Sequence, residues 1–149
     1  MPVKPIPDGY HSVTPYLTVP GVPQLIDFAK QAFGAQQIAR MDDPNGKVVH
    51  AEVKIGDSIV MMGEANNDFK PMPGKIHLYI DGVDAVYKRA LDAGAISLRE
   101  PTDQFYGDRM AGVKDKSGNE WWISTHVEDL SPEEMKKRSE EFMKQREKK

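Results

Sequence analysis

The sequence predicts an α+β fold built from two copies of one β-α-β-β-β unit, followed by a C-terminal helix. Three observations carry this expectation. Gly21-Val22 and Gly82-Val83 each stand just before a predicted helix, and Gly34-Ala35 and Gly94-Ala95 each stand just after one. Each helix follows an alternating strand and precedes a short strand and a hairpin. Each helix is also apolar on one stripe only, so each half reads as one sheet with a helix on one face, and its other face needs a cover.

Taken in order, residues 1–11 are proline-rich and read as a surface arm. Ser12 to Val19 alternates as a strand, with Val13, Leu17 and Val19 on one face and Thr14, Tyr16 and Thr18 on the other. Pro15 removes a backbone donor there, which favours an edge position or a bulge. Pro20-Gly21 breaks the strand, and Pro23 suits a first helical turn. Leu25, Ile26, Ala29, Ala32 and Phe33 form the apolar stripe of that helix, which Gly34 ends. Three strands are expected next: Gln36 to Met41, Val48 to Ile55 after an Asp-Pro-Asn-Gly turn, and Ser58 to Met62 after Gly56-Asp57. In the middle one, Val49, Ala51, Val53 and Ile55 share a face opposite His50, Glu52 and Lys54.

The polar stretch 64–74 reads as the linker, after which the pattern restarts. Lys75 to Ile80 is a strand with His77 and Tyr79 opposite Ile76, Leu78 and Ile80. Val86, Ala90 and Leu91 mark the second helix, and Ile96 to Arg99 a short strand. Met110 to Lys114 and Glu120 to Thr125 form a hairpin around Asp115-Lys116-Ser117-Gly118-Asn119. Both tryptophans, Trp121 and Trp122, lie on its last strand, one pointing to each face. Ser131-Pro132-Glu133-Glu134 is a capping box that opens the final helix. Glu133–Lys137 and Glu140–Lys144 are four-residue charge pairs worth about 0.2–0.5 kcal/mol each. Met135, Phe142 and Met143 leave that helix only a narrow apolar stripe. The expected organisation is a single domain over about 9–130, with modules near 12–63 and 75–126, and a helix over 131–149 that frays at its basic end.

Bulk properties narrow the function classes. A chain of 149 residues suits one domain with a real core. The net charge of −3 offers no basic footprint, so nucleic acid is not an expected partner. The lack of cysteine removes disulfides, thiolate metal sites and a cysteine nucleophile. No apolar run reaches membrane-spanning length and the N-terminus lacks a signal-peptide core, so no membrane and a cytoplasmic location are expected. If the helices cover the fully apolar sheet faces, the opposite faces carry Thr14, Tyr16, Thr18, His50, Glu52, Met61, His77, Tyr79 and Trp122. Two such faces brought together would line a cavity of mixed aromatic and polar character, suited to a small organic ligand.

The segments TPYLTV, HAEVKIGDSIVMM, FYGDRMAGVKDKSGNEWWI and THVEDLSPEE, set in paired β-α-β-β-β modules, resemble the glyoxalase/bleomycin-resistance group of the vicinal oxygen chelate superfamily. The resemblance covers roughly residues 9–138. Lys116 departs from it, where proline is usual, and this touches a turn only. The resemblance implies a cleft between modules and a homodimer. It does not imply one reaction, since the group spans metal-dependent lyases, epimerases, dioxygenases and thiol transferases as well as drug-sequestering binding proteins. It also implies metal ligands on the first and last strands of each module, positions assigned here to Thr14, Met61, His77 and Trp122. A divalent ion needs several His or carboxylate ligands, and only His77 qualifies, so no metal and no other cofactor is expected. An improvised site from His50, Glu52 and His77 is the alternative.

The candidate ligand-binding residues are therefore Tyr16, His50, Met61, His77, Tyr79, Arg109 and Trp122. Tyr16, Tyr79 and Trp122 would stack on a planar ring, or simply fill the cavity. Arg109 would grip a carboxylate, or with Asp108 brace a loop. His11 and His126 fall at strand ends. Two functions stand side by side. One is a metal-free, homodimeric binding protein for an aromatic or amphipathic small molecule. The other is a lyase, isomerase or dioxygenase with His77 and Glu52 as catalytic acid and base.

Overall fold

The computed structural model describes residues 2–148. The elements run β1 (Tyr16–Val19), α1 (Val22–Phe33), β2 (Gln36–Asp42), β3 (Val48–Ile55), β4 (Ser58–Glu64), β5 (Lys75–Tyr79), α2 (Val83–Asp92), β6 (Ile96–Asp103), β7 (Asp108–Lys114), β8 (Glu120–His126) and α3 (Pro132–Glu147). They form two four-stranded sheets ordered β1-β4-β3-β2 and β5-β8-β7-β6. In each, the first strand runs parallel to the last and the other pairings are antiparallel. The chain is thus the expected doubled β-α-β-β-β unit with a C-terminal helix. Of the helix expected over 131–149, Lys149 lies outside the described residues.

The alternation expected from sequence places the core. Leu17 and Val19 of β1, Ala51, Val53 and Ile55 of β3, and Val60 and Met62 of β4 are buried beneath α1. From α1 itself, Leu25, Ile26, Ala29, Ala32 and Phe33 are buried together with Val22 and Phe28. In the second unit Ala111, Val113, Trp121 and Ile123 meet Val83, Val86 and Ala90 of α2. The two cores are continuous because Trp121 of the second unit packs against Phe28 and Phe33 of the first, its ring centre 4.9 Å from that of Phe33.

Strands β4, β6 and β7 run longer than expected, to Glu64, to Asp103 and from Asp108, and β1 and β3 depart in ways that matter more. Strand β1 begins at Tyr16 rather than Ser12, and Val13 is exposed. Pro15 has no N–H to donate, and only its carbonyl, which accepts from the Met61 N–H, joins the ladder. On β3, Val48 is fully buried while Val49 lies open, because the β2–β3 register shifts between Met41 and Asp42 and changes which side chain faces in. At the C-terminus the Ser131 hydroxyl accepts from the Glu134 N–H, as its capping box predicts. The ion pairs found on α3 join Arg138 to Glu134 and Glu128 rather than the two expected lysine pairs, among the described residues. None of the residues of α3 is buried, and Phe142 rests on Phe105 at 4.6 Å between ring centres.

Candidate functional site

The face of the first sheet turned away from α1 bears a cavity of about 820 Å³. Tyr16 and Thr18 of β1, Met41 of β2, Val49 and His50 of β3, Gly63 of β4 and Phe69 from the connection to β5 line it, along with Asp43, Lys47, Glu64 and Asn66. Period-two alternation puts Tyr16 and His50 here, opposite the buried Leu17 and Ala51. Gly63 makes the room, since a Cβ at that position would lie 2.8 Å from both the Tyr16 hydroxyl and the Val49 carbonyl oxygen.

A chain of hydrogen bonds leads out of this cavity into the sheet. The Tyr16 hydroxyl lies 3.3 Å from His50 Nδ1, and His50 Nε2 lies 2.7 Å from Glu52 Oε2. The other Glu52 oxygen accepts from the hydroxyl of Tyr10, which the N-terminal arm folds back over β3. Glu52 is only 8% exposed. Burial by itself pushes its carboxyl up, but the hydrogen bonds from Tyr10 and His50 outweigh that and leave it below the ordinary carboxylate range.

The corresponding face of the second sheet holds a separate network. The Ser124 hydroxyl meets His77 Nε2 at 2.9 Å, and the Tyr79 hydroxyl donates to Asp108 at 2.6 Å. His126 Nδ1 reaches the other Asp108 oxygen at 2.8 Å, and its Nε2 reaches Asp129. Burial pushes Asp108 up, and the Tyr79 and His126 hydrogen bonds with the nearby histidines more than reverse it, leaving its carboxyl low. Hydrogen bonding to Asp108 first, then to Asp129, raises His126, and hydrogen bonding to Asp108 likewise raises Tyr79. His126 is thus tied into the fold through both ring nitrogens.

The predicted site residues are therefore divided rather than gathered. Tyr16 and His50 line the first cavity, with Glu52 bonded behind His50. His77 and Tyr79 line a second one, of about 570 Å³, along β5 where it meets residues 11–15 and the β3–β4 turn. Met61 and Trp122 are half-buried and line neither. Trp122 lies flat across Gly112, where a Cβ would come within 2.6 Å of the ring, and its indole N–H donates to Glu120. His77 and Glu52 stand on different sheets, each with its own partners, so the structure does not pair them. Arg109 requires a correction as a ligand-binding residue. It pairs in register with Thr125 on the α2 side of the sheet, where Asp84 and Asp103 hold its guanidinium. Of the large side chains at the site, Met41, Val49, Phe69 and Tyr10 were not predicted from sequence, nor were the polar residues Asp43, Lys47, Glu64 and Asn66 of its rim. Phe69, the lone aromatic of a turn-rich polar stretch, is the one that could have been singled out.

The metal positions implied by resemblance can now be set by register. Tyr16 stands opposite Met61 in the first sheet as His77 stands opposite Trp122 in the second, so Tyr16 replaces Thr14 in the set. A phenol bonded to His50, a thioether, one imidazole and an indole do not fit a divalent ion. Among the described residues no group of three or more His, Cys, Asp or Glu side chains is placed to hold one. Nor is any helix among them long and apolar enough to cross a membrane.

Comparison with known proteins agrees with this architecture. Residues 9–123 match the family model of the Glyoxalase/Bleomycin resistance protein/Dioxygenase superfamily. An uncharacterized protein of Mycobacterium bovis is 33% identical over 138 residues, spanning 83% of this chain and 89% of that protein. Among solved structures, TioX from Micromonospora sp. ML1 superposes with a TM-score of 0.63 at 23% identity, covering 77% of this chain and 96% of TioX. TnmS3, an antibiotic binding protein from Streptomyces sp. CB03234, gives 0.63 at 20% identity, covering 78% of this chain and 96% of its own. At such identities the two structural likenesses show the fold alone. Family model, curated relative and fold together show that the chain belongs to the glyoxalase/bleomycin resistance protein/dioxygenase superfamily.

Proposed function

We propose that this protein binds an aromatic or amphipathic small molecule in the cavity over its first sheet, without a divalent metal, and does so as a homodimer. The observation that carries the reading is the cavity lining. Tyr16, Met41, Val49 and Phe69 leave 49%, 57%, 47% and 68% of their surface to water around one concavity. Large apolar side chains gathered like this gain about 25 cal/mol for each Å² a ligand covers, and an aromatic ring suits Tyr16 and Phe69 best. That a protein of the same fold is named as an antibiotic binding protein supports the ligand class. The homodimer is supported by the matching face of the second sheet, where Tyr79 is 62% exposed and a second copy would find an aromatic surface.

Isothermal titration with a panel of planar aromatic natural products tests the ligand class, and sedimentation of the free protein tests the dimer. Saturable one-to-one binding per chain is expected for part of the panel, weakened about tenfold when Phe69→Ala removes its ring. Absence of binding to every compound, with side chains found filling the cavity, would overturn the reading. The alternative, a lyase, isomerase or dioxygenase run by His77 and Glu52, has less support because those two groups stand on separate sheets.

A further inference from the structure

We infer that Tyr16, His50 and Glu52 form a proton relay that accepts the hydroxyl proton of a weakly acidic aromatic alcohol and holds the compound as its aryl oxide. The inference rests on the cavity being the ligand site. It adds the chemical class of the ligand and the state in which it is held.

Geometry fixes the direction of the relay. Glu52 is buried, and both its oxygens are engaged, one by the Tyr10 hydroxyl and the other by His50 Nε2 at 2.7 Å. An ionised carboxylate can only accept, so His50 directs its Nε2–H to Glu52, and in the neutral ring Nδ1 is left as the acceptor. Nδ1 faces the Tyr16 hydroxyl at 3.3 Å, which therefore donates inward. Tyr16 lines the cavity, and its oxygen keeps lone pairs free for a donor there. A ligand hydroxyl is such a donor. Its O–H bond breaks as the proton moves to the Tyr16 oxygen, while the Tyr16 proton moves to His50 Nδ1. The imidazolium formed stays bonded to the Glu52 carboxylate, and the aryl oxide left in the cavity accepts from the regenerated Tyr16 hydroxyl. No electron is gained or lost, and the net charge of the site is unchanged.

The surroundings suit a proton acceptor. Besides Tyr16 and His50, the titratable groups lining the cavity are Asp43 and Lys47 from the β2–β3 turn and Glu64 from the end of β4. Asp43 accepts from the N–H groups of Asn45 and Lys47, and Glu64 from those of Gly21 and Val22, so both carboxylates are engaged with backbone. Lys47 is the cation of the lining and favours an anionic guest. The mate of His50 across β2 is Met41, which cannot compete for its proton.

The test uses para-nitrophenol, whose ionised form has its own absorption band, and its methyl ether para-nitroanisole, which has no proton to give. Both are titrated into the full-length protein at a pH about one unit below the free phenol's own pKa, where about one tenth of the free dye is ionised. The relay predicts that bound nitrophenol is mostly ionised. In His50→Gln, and separately in Tyr16→Phe, the ionised-to-neutral ratio of the bound dye should fall about tenfold or more, a ratio read at saturation so that any change in affinity, which nitroanisole reports, does not enter it. If nitrophenol and nitroanisole both bind and the bound phenol stays neutral, the relay is overturned and the cavity reading stands. If the bound phenol is ionised equally in both variants, the relay is likewise overturned. If neither compound binds, the cavity reading fails and the relay fails with it.

Discussion

Gly63 and Gly112 each let an aromatic side chain lie against the backbone of a strand, Tyr16 in the first sheet and Trp122 in the second. The contact at Gly63 is the more rigid, because one of the two atoms a Cβ would strike is the Val49 carbonyl oxygen. Gly63→Ala is expected to cost about 1–3 kcal/mol and to push Tyr16 into the cavity, since overpacking a strand forces side chains off their rotamers. Chemical denaturation checks the stability, and a parallel titration should show ligand affinity falling with it. Asp115 is a second residue on which much depends. Its carboxylate accepts from the Ser117 and Asn119 N–H groups, the Asn119 amide and the Trp121 indole, and both Asn119 and Trp121 are fully buried. Asp115→Ala leaves these donors without a partner and is expected to cost about 3 kcal/mol or more, read as a lower urea midpoint at unchanged slope. The turn was legible from its residue types. The indole bond was not, because a side chain's reach across a turn is set by rotamers that alternation does not encode.

At the scale of elements, the repeat extends to how each helix begins. Helices α1 and α2 both follow a glycine in the left-handed region, Gly21 at φ 81° and Gly82 at φ 75°, and neither has a side-chain cap from its own N-cap residue. The end of the neighbouring strand supplies the acceptor instead. Glu64 of β4 takes the Gly21 and Val22 N–H groups at 2.7 and 3.1 Å, and Thr125 of β8 takes the Val83 N–H at 3.1 Å. The charged acceptor is worth more at a helix N-terminus than the neutral one. Glu64→Ala is therefore expected to cost about 1–2 kcal/mol and Thr125→Val about 1 kcal/mol, a ranking that guanidinium unfolding of the two variants would check. The glycines were legible in sequence as boundaries of the repeat. Their capping partners lie about forty residues away, and nothing local identifies them.

For the whole molecule, the Tyr79–Asp108–His126–Asp129 network makes stability depend on pH in a defined direction. Asp108 has its carboxyl lowered, so its contribution is present above the unfolded value near 3.9 and is lost as pH falls through the lower folded value. His126 is raised, so its contribution is complete below about 6.5 and is lost as pH rises through the higher folded value. The unfolding temperature should therefore be highest between these limits. Exchanging His126→Gln should remove the fall that begins above about pH 6.5, while leaving the acid fall from Asp108 and a later alkaline fall from Tyr79, whose hydroxyl is also raised. The alkaline step will be small and will shrink with salt, because His126 is half exposed. Differential scanning calorimetry across pH, at low and high salt, reads both features.

The sequence alone determined the doubled β-α-β-β-β plan, the helix stripes, the buried role of Trp121 and the open-face placement of Tyr16, His50, Glu52, His77 and Tyr79. These follow from periods of two and 3.6 residues and from turn residues, which act over a few neighbours. Only the tertiary structure decided which open-face residues meet. Phe28 and Phe33 close on Trp121 and join the two helices' cores, and that apolar contact has no directional signature in the chain. The tertiary structure gives His50, with Glu52 behind it, one cavity and His77 another, each with partners of its own. It also turned Arg109 from a candidate ligand group into the brace of Asp84 and Asp103, since a one-residue choice of register selects the face of the sheet on which a side chain emerges.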